Sequence, residues 1–166
     1  MVDVARRAVD LEAASDALAG VLAPILAGAG RVAAYVSVGT EPGTRALLRP
    51  GWLLPVLLPG GDLDWAEYDG DLARTGRGLL EPTGPRLGVD AVTCCEVVLV
   101  PALAVDRRGH RLGRGGGSYD RALPRAGGLT VALLHDGELV GQLPAEPHDV
   151  PVRAAATPSG GLVLLG

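Results

Sequence analysis

The sequence predicts an α/β fold: a single three-layer α/β/α domain, residues 1–166, with a mostly parallel, Rossmann-like sheet. Two observations carry this. Several apolar runs are hydrophobic throughout rather than alternating, as strands covered on both faces must be, and they alternate with segments of helical periodicity. With 166 residues, 48% of them hydrophobic, the chain is long enough for one domain with a substantial core.

The elements follow in order. Within 9–27, Leu11, Ala14, Leu18, Val21, Leu22 and Ile25 share one face at helical spacing, and Pro24 disturbs the C-terminal part. RVAAYVSVGTEPG at 31–43 reads as a buried strand running into a turn, and 44–49 as the start of a short helix. WLLPVLLPG at 52–60 reads as a second buried strand despite Pro55. LDWAEYDG at 63–70 alternates apolar and polar, as a half-buried strand does. Residues 71–90 are rich in loop residues around LLEPTGP. VVLVPALAVD at 97–106 is the strongest core strand. Helix is expected over 118–126, strand over 129–135 (LTVALLH), and one or two short strands over 150–166. There are no internal repeats.

Charge and composition narrow the function. A net charge of -4 argues against nucleic acid or an anionic membrane as partner. The apolar runs are short and broken by Gly, Pro or charge, so none reads as a good membrane span. MVDVARRAVDLEA lacks the long apolar segment of a secretory signal, and a cytoplasmic protein is expected. Cys94 and Cys95 are adjacent and read as a buried, reduced pair without disulfide or metal spacing. There is no lysine; all 15 basic residues are arginine. Any cationic side chain on a phosphate must therefore be an arginine.

In open α/β sheets, ligands bind beyond the C-terminal strand ends. Two charged loops fall there: GTEPG at 39–43 and DRRGHRLGRGGGSYDR at 106–121. Glycine is costly to order, yet Gly113, Gly115, Gly116 and Gly117 crowd together. Such backbone lets successive N–H groups approach a phosphate, and the start of a following helix adds its positive end. Arg111 and Arg114 offer guanidinium forks. Asp120 suits this role only if a cation bridges it to phosphate, as Mg²⁺ does. The loop is neither a P-loop nor a GxGxxG fingerprint. On glycine spacing alone, a flexible surface loop is an equal reading.

VPALAVDRRGHRLGRGGGSYDR at 100–121 resembles the signature of the 5-formyltetrahydrofolate cyclo-ligase (methenyltetrahydrofolate synthetase) family. AYVSVGTEPGT at 34–44, LLEP at 79–82 and LPAEPHD at 143–149 resemble further family segments in the same order. The resemblance implies that ATP and 5-formyltetrahydrofolate become 5,10-methenyltetrahydrofolate, ADP and phosphate. It implies ATP as co-substrate and Mg²⁺ as cofactor. Carried over residue by residue, Arg111, Arg114 and the backbone of Gly113, Gly115, Gly116 and Gly117 hold phosphates, joined by Tyr119 and Asp120. Asp120 and Asp149 hold the metal. Glu41 contacts the folate or its formyl group, and Glu41, Tyr119 and Arg111 carry the catalysis. Ser118 and Tyr119 line the substrate site, and Trp65 offers a ring face to the pterin. A monomer acting on small molecules is expected.

Plainer readings stand beside these. Glu41 is also placed to cap a helix over 44–49, and Trp65 to fill the core. Arg107, Arg108, Arg121 and Arg125 read as solvated, His110 and His148 as surface histidines, and Asp106 as the head of an Asx turn. The chain also departs from the family pattern. Val105 replaces a Phe, and Ser118 replaces the first of two tyrosines. The family's usual N-terminal helix, whose Lys and Arg reach ATP, is expected to be lacking, with Arg6 or Arg7 as substitutes. These departures keep a non-catalytic folate- or nucleotide-binding relative as the alternative.

Overall fold

The computed structural model describes residues 2–166. A short helix α1 (Val2–Arg7) leads into α2 (Leu11–Gly28). The Asp10 carboxylate accepts the Ala13 N–H and caps α2. Ala14, Leu18, Leu22 and Leu26, spaced by four, form its buried stripe, and the helix continues through Pro24. By length and composition α2 would suffice to cross a bilayer, against the expectation that no segment would. Its stripe is instead packed on the sheet.

Twelve strands follow in the described residues. The first six are β1 (Val32–Ala33), β2 (Leu53–Leu57), β3 (Leu63–Glu67), β4 (Leu72–Arg74), β5 (Leu80–Pro82) and β6 (Val97–Pro101). The rest are β7 (Ala104–Asp106), β8 (Arg111–Leu112), β9 (Leu129–Leu133), β10 (Leu139–Val140), β11 (Ala154–Thr157) and β12 (Gly161–Leu164), with helix α3 (Ser118–Ala122) between β8 and β9. The main sheet runs β12-β11-β9-β6-β1-β2-β3. Its five central strands are parallel, and β3 and β12 close the edges antiparallel.

Side chains alternate between the two faces, which is why the central strands read as apolar throughout. Val97, Leu99, Val131 and Leu133 face α2. Val98, Val100 and Ala132 share a cluster with Trp65, Val92, Ala122 and Leu123 on the other face. That second face is covered by 3-10 turns at Val89–Cys94 and Leu123–Arg125 and by the five-residue α3. The sheet is mostly parallel, as expected, and its second helical cover consists of short turns.

Several expectations need correction. The strand over 97–106 splits after Pro101. Arg6 donates to the Ala102 carbonyl, and the Leu103 N–H bonds Leu112 O. β7 therefore joins β8 and β10 in a separate three-stranded sheet. Only Val32–Ala33 of the first strand lies in the ladder. Beyond it, Ser37 and Thr44 each bind the other's backbone N–H through a hydroxyl, pulling 35–44 into a loop. Residues 44–49 are a turn rather than a helix, since Pro50 and Gly51 follow at once. The loop-rich segment 71–90 holds the β4–β5 hairpin. Cys95 is buried, its thiol pushed up to about 11 by burial, whereas Cys94 is exposed. Arg125 is not free in solvent: it grips both carboxylate oxygens of Asp62 and holds that group down to about 2.

Candidate active site

A cavity of about 510 Å³ opens where β1, β2 and β6 end. The glycine loop, the segment after β1 and the β5 region form its walls, with Asp149 contributed from the loop before β11. This is the crevice position that a parallel sheet favours. Glu41, Arg111, Gly113, Arg114, Gly115, Gly116, Gly117, Ser118, Tyr119, Asp120 and Asp149 all line it. Eleven residues from three distant segments thus meet on one surface.

Arg111 is the best anchored of them. Its Nη1 donates to Pro101 O at 2.9 Å and its Nη2 to Asp120 Oδ1 at 3.0 Å. Its guanidinium lies 5.8 Å from the centre of the Tyr119 ring. Its Nε is buried without a partner. Gly113 leaves room for this arrangement: a Cβ there would sit 2.8 Å from Arg111 Nη1, so the guanidinium would have to shift. Gly117 stands in the left-handed region (φ 74°) at the start of α3, where other residues are strained. A Cβ at Gly115 or Gly116 would meet nothing within 4 Å, so this part of the loop borders open space.

Glu41 is held in place at both oxygens. Oε2 accepts the Val38 N–H at 2.8 Å, and Oε1 lies 3.4 Å from Arg114 Nε. It caps no helix. The Tyr119 hydroxyl is buried without a partner. Burial pushes its ionisation upward, and the Glu41 charge adds to this against Arg111, so it stays a neutral donor. Tyr35 does the same: its hydroxyl is buried, unpartnered, raised by burial and then by Glu41, and it lines the same cavity.

Three expectations are revised here. Trp65 is completely buried in the core and does not line the cavity, so its ring is not offered to a ligand. Its place on β3 faces the packed side of the sheet. Arg6 is no free phosphate ligand. It is 1% exposed and bonds Glu138 at 2.7 and 2.9 Å and Ala102 O at 2.7 Å, while its buried Nη1 has no partner among the described residues. Asp106 does more than head an Asx turn. Burial alone would raise its carboxyl, but N–H groups of Leu143, His110 and Arg108 and the His110 ring hold it down to about 2.

For a divalent cation, Asp120 is 62% exposed with one oxygen free, and Asp149 lines the same cavity. No cluster of three acidic, His or Cys side chains exists among the described residues. Two carboxylates without a cage suit an Mg²⁺ that arrives on phosphate and keeps several waters.

Fold and site together define an α/β protein with an arginine- and glycine-lined crevice at the strand ends. A model of the 5-formyltetrahydrofolate cyclo-ligase family matches residues 4–158. A 5-formyltetrahydrofolate cyclo-ligase of Mycolicibacterium smegmatis is 42% identical over 168 aligned positions, covering 93% of this chain and 87% of that one. The Escherichia coli K12 5-formyltetrahydrofolate cyclo-ligase is 34% identical over 77% of this chain and 78% of its own. The fold matches that of the Aquifex aeolicus 5,10-methenyltetrahydrofolate synthetase, with a TM-score of 0.77, 24% identity and coverage of 96% and 87%. The chain belongs to the 5-formyltetrahydrofolate cyclo-ligase family.

Proposed function

We propose that this protein is an ATP-dependent ligase that closes 5-formyltetrahydrofolate to 5,10-methenyltetrahydrofolate, releasing ADP and phosphate. Family membership supports the reaction. The observation that carries the site is the meeting of Arg111, the glycine loop, Tyr119, Glu41 and both aspartates on one cavity. The formyl oxygen attacks the γ-phosphorus and ADP departs. Nitrogen N10 then attacks the formyl carbon, the C–O bond breaks, and phosphate leaves with the former formyl oxygen. N10 gives up its proton, and a double bond forms to the bridging carbon.

The protein's task is alignment and charge balance. Arg111 and Arg114 supply guanidinium forks, and the uncrowded backbone of Gly115 and Gly116 leaves room for a phosphate to approach. Asp120 and Asp149 are assigned to Mg²⁺, which when bound neutralises phosphate charge. Glu41 is assigned to the folate, where a carboxylate balances the cationic nitrogen and accepts the N10 proton. Tyr119 donates to a substrate oxygen. We read the protein as a cytoplasmic monomer acting on small molecules.

The test is purified protein with 5-formyltetrahydrofolate and Mg-ATP. The expected result is a rise in the near-ultraviolet absorbance of the methenyl product with one ADP per turnover. Binding of both substrates without product would sink this reading in favour of a non-catalytic relative.

A further inference from the structure

One wall of the cavity is built by Pro55 and Leu57 of β2, Leu63 of β3, and Leu79, Leu80 and Glu81 at β5. Glu81 is the one charged group on it. Its Oε2 accepts the Leu57 N–H at 2.7 Å, which fixes the direction of the carboxylate. Among the described residues its Oε1 meets no hydrogen-bond donor or ion-pair partner, and in this half-buried residue it stays open to solvent. No arginine neutralises it, in contrast to Glu41 and Asp120. A ligand ring that covers the Glu81 carboxylate takes it from water, which is unfavourable unless donors on the ligand replace that water. An ionised carboxylate only accepts, so the ligand group that replaces the water must be an N–H or O–H.

We propose that Glu81 is a specificity-determining residue that reads the donor edge of the substrate's fused ring, namely the ring N–H and exocyclic amine of its 2-amino-4-oxopyrimidine part. This rests on the folate reading above. The apolar side chains around Glu81 suit the faces of a flat ring, and the single carboxylate sets its orientation. A site built to bond a donor rejects an analogue that lacks it far more strongly than an apolar pocket does, because the buried acceptor is stranded. The hydrogen bond to Leu57 gives the carboxylate a second demand. It must accept from the backbone on one side and from the ligand on the other. An amide can accept on only one side, since its other atom is an NH₂.

The test uses calorimetry with 5-formyltetrahydrofolate and its 2-desamino counterpart on the wild-type chain and on Glu81→Gln, with Mg-ATP binding and thermal unfolding measured alongside. The wild type is expected to prefer the amino compound by roughly tenfold or more. In Glu81→Gln that preference should collapse through weaker binding of the amino compound alone, with Mg-ATP affinity and melting temperature unchanged. Equal binding of the two compounds by the wild type overturns the proposal whether or not the variant folds. So does a variant that keeps the preference, or one whose loss falls on ATP, which would place an adenine amine at Glu81 instead. Failure of the wild type to bind either folate removes the functional reading itself, and this inference with it.

Discussion

Replacing Arg111 with alanine separates an anchor from a ligand contact, because the structure lets both costs be worked out. The variant loses the hydrogen bond to Pro101 O, worth about 1 kcal/mol. It also loses the pairing with Asp120, whose side chain is 62% exposed, so that contact contributes only about 0–1 kcal/mol. A destabilisation of about 1–2 kcal/mol lowers the melting temperature of a chain this size by about 2–8 °C. The nucleotide loses a charge-assisted bond of about 1.5–3 kcal/mol, or about 10- to 150-fold in Kd. Folate affinity should change much less. Titration calorimetry with Mg-ATP and with 5-formyltetrahydrofolate, run well below the melting temperature, reads both. A variant that melts earlier as expected but binds ATP unchanged would refute the phosphate role and leave Arg111 as a structural prop. Arg111→Lys sharpens the test. It keeps the charge without the fork, so ATP affinity should recover only in part.

Three further outcomes are expected. Asp120→Asn should remove most turnover and flatten the dependence of rate on Mg²⁺ while leaving the melting temperature nearly unchanged, since the side chain is mostly exposed; full activity would dismiss the metal role. Tyr35→Phe should raise the melting temperature, because it deletes a buried hydroxyl that has no partner and whose burial costs about 1–3 kcal/mol; a fall would mean the hydroxyl is bonded in solution. Asp106, held at about 2 in the folded chain, lies below its ordinary value, so the stability it contributes is present above about pH 4 and is lost as pH falls toward 2. Urea unfolding at pH 6 and pH 3 should show that Asp106→Asn has lost this acid-sensitive part, about 1 kcal/mol over that range; an identical acid slope in the two proteins would contradict it.

Much of the framework was legible in the chain. The helical spacing of Ala14, Leu18 and Leu22 states which face of α2 is buried, though Leu26 also lies on it while Leu11, Val21 and Ile25 flank it half-buried, and continuous apolar runs state that β6 and β9 are covered on both faces. The glycine loop was legible for a related reason. A run of residues so costly to order, set between a strand and a helix and flanked by arginines, marked the segment that lines the cavity. These are local properties, and local pattern reports burial, backbone freedom and charge.

What surrounds a buried group is decided elsewhere in the chain. Trp65 and Tyr35 are both aromatic residues in apolar stretches. Only the packing puts one wholly in the core and lets the other, itself buried, line the cavity. Glu81 gave a faint signal as the one charge in LLEP, but its meaning depends on the Leu57 N–H, 24 residues away. Arg6 looked free to serve a phosphate until Glu138, 132 residues distant, took up its guanidinium. That pairing also helps end β6 at Pro101, since the same arginine takes the Ala102 carbonyl. A side chain's chemistry is written in its own position, whereas its partners come from segments that only folding brings within hydrogen-bond distance.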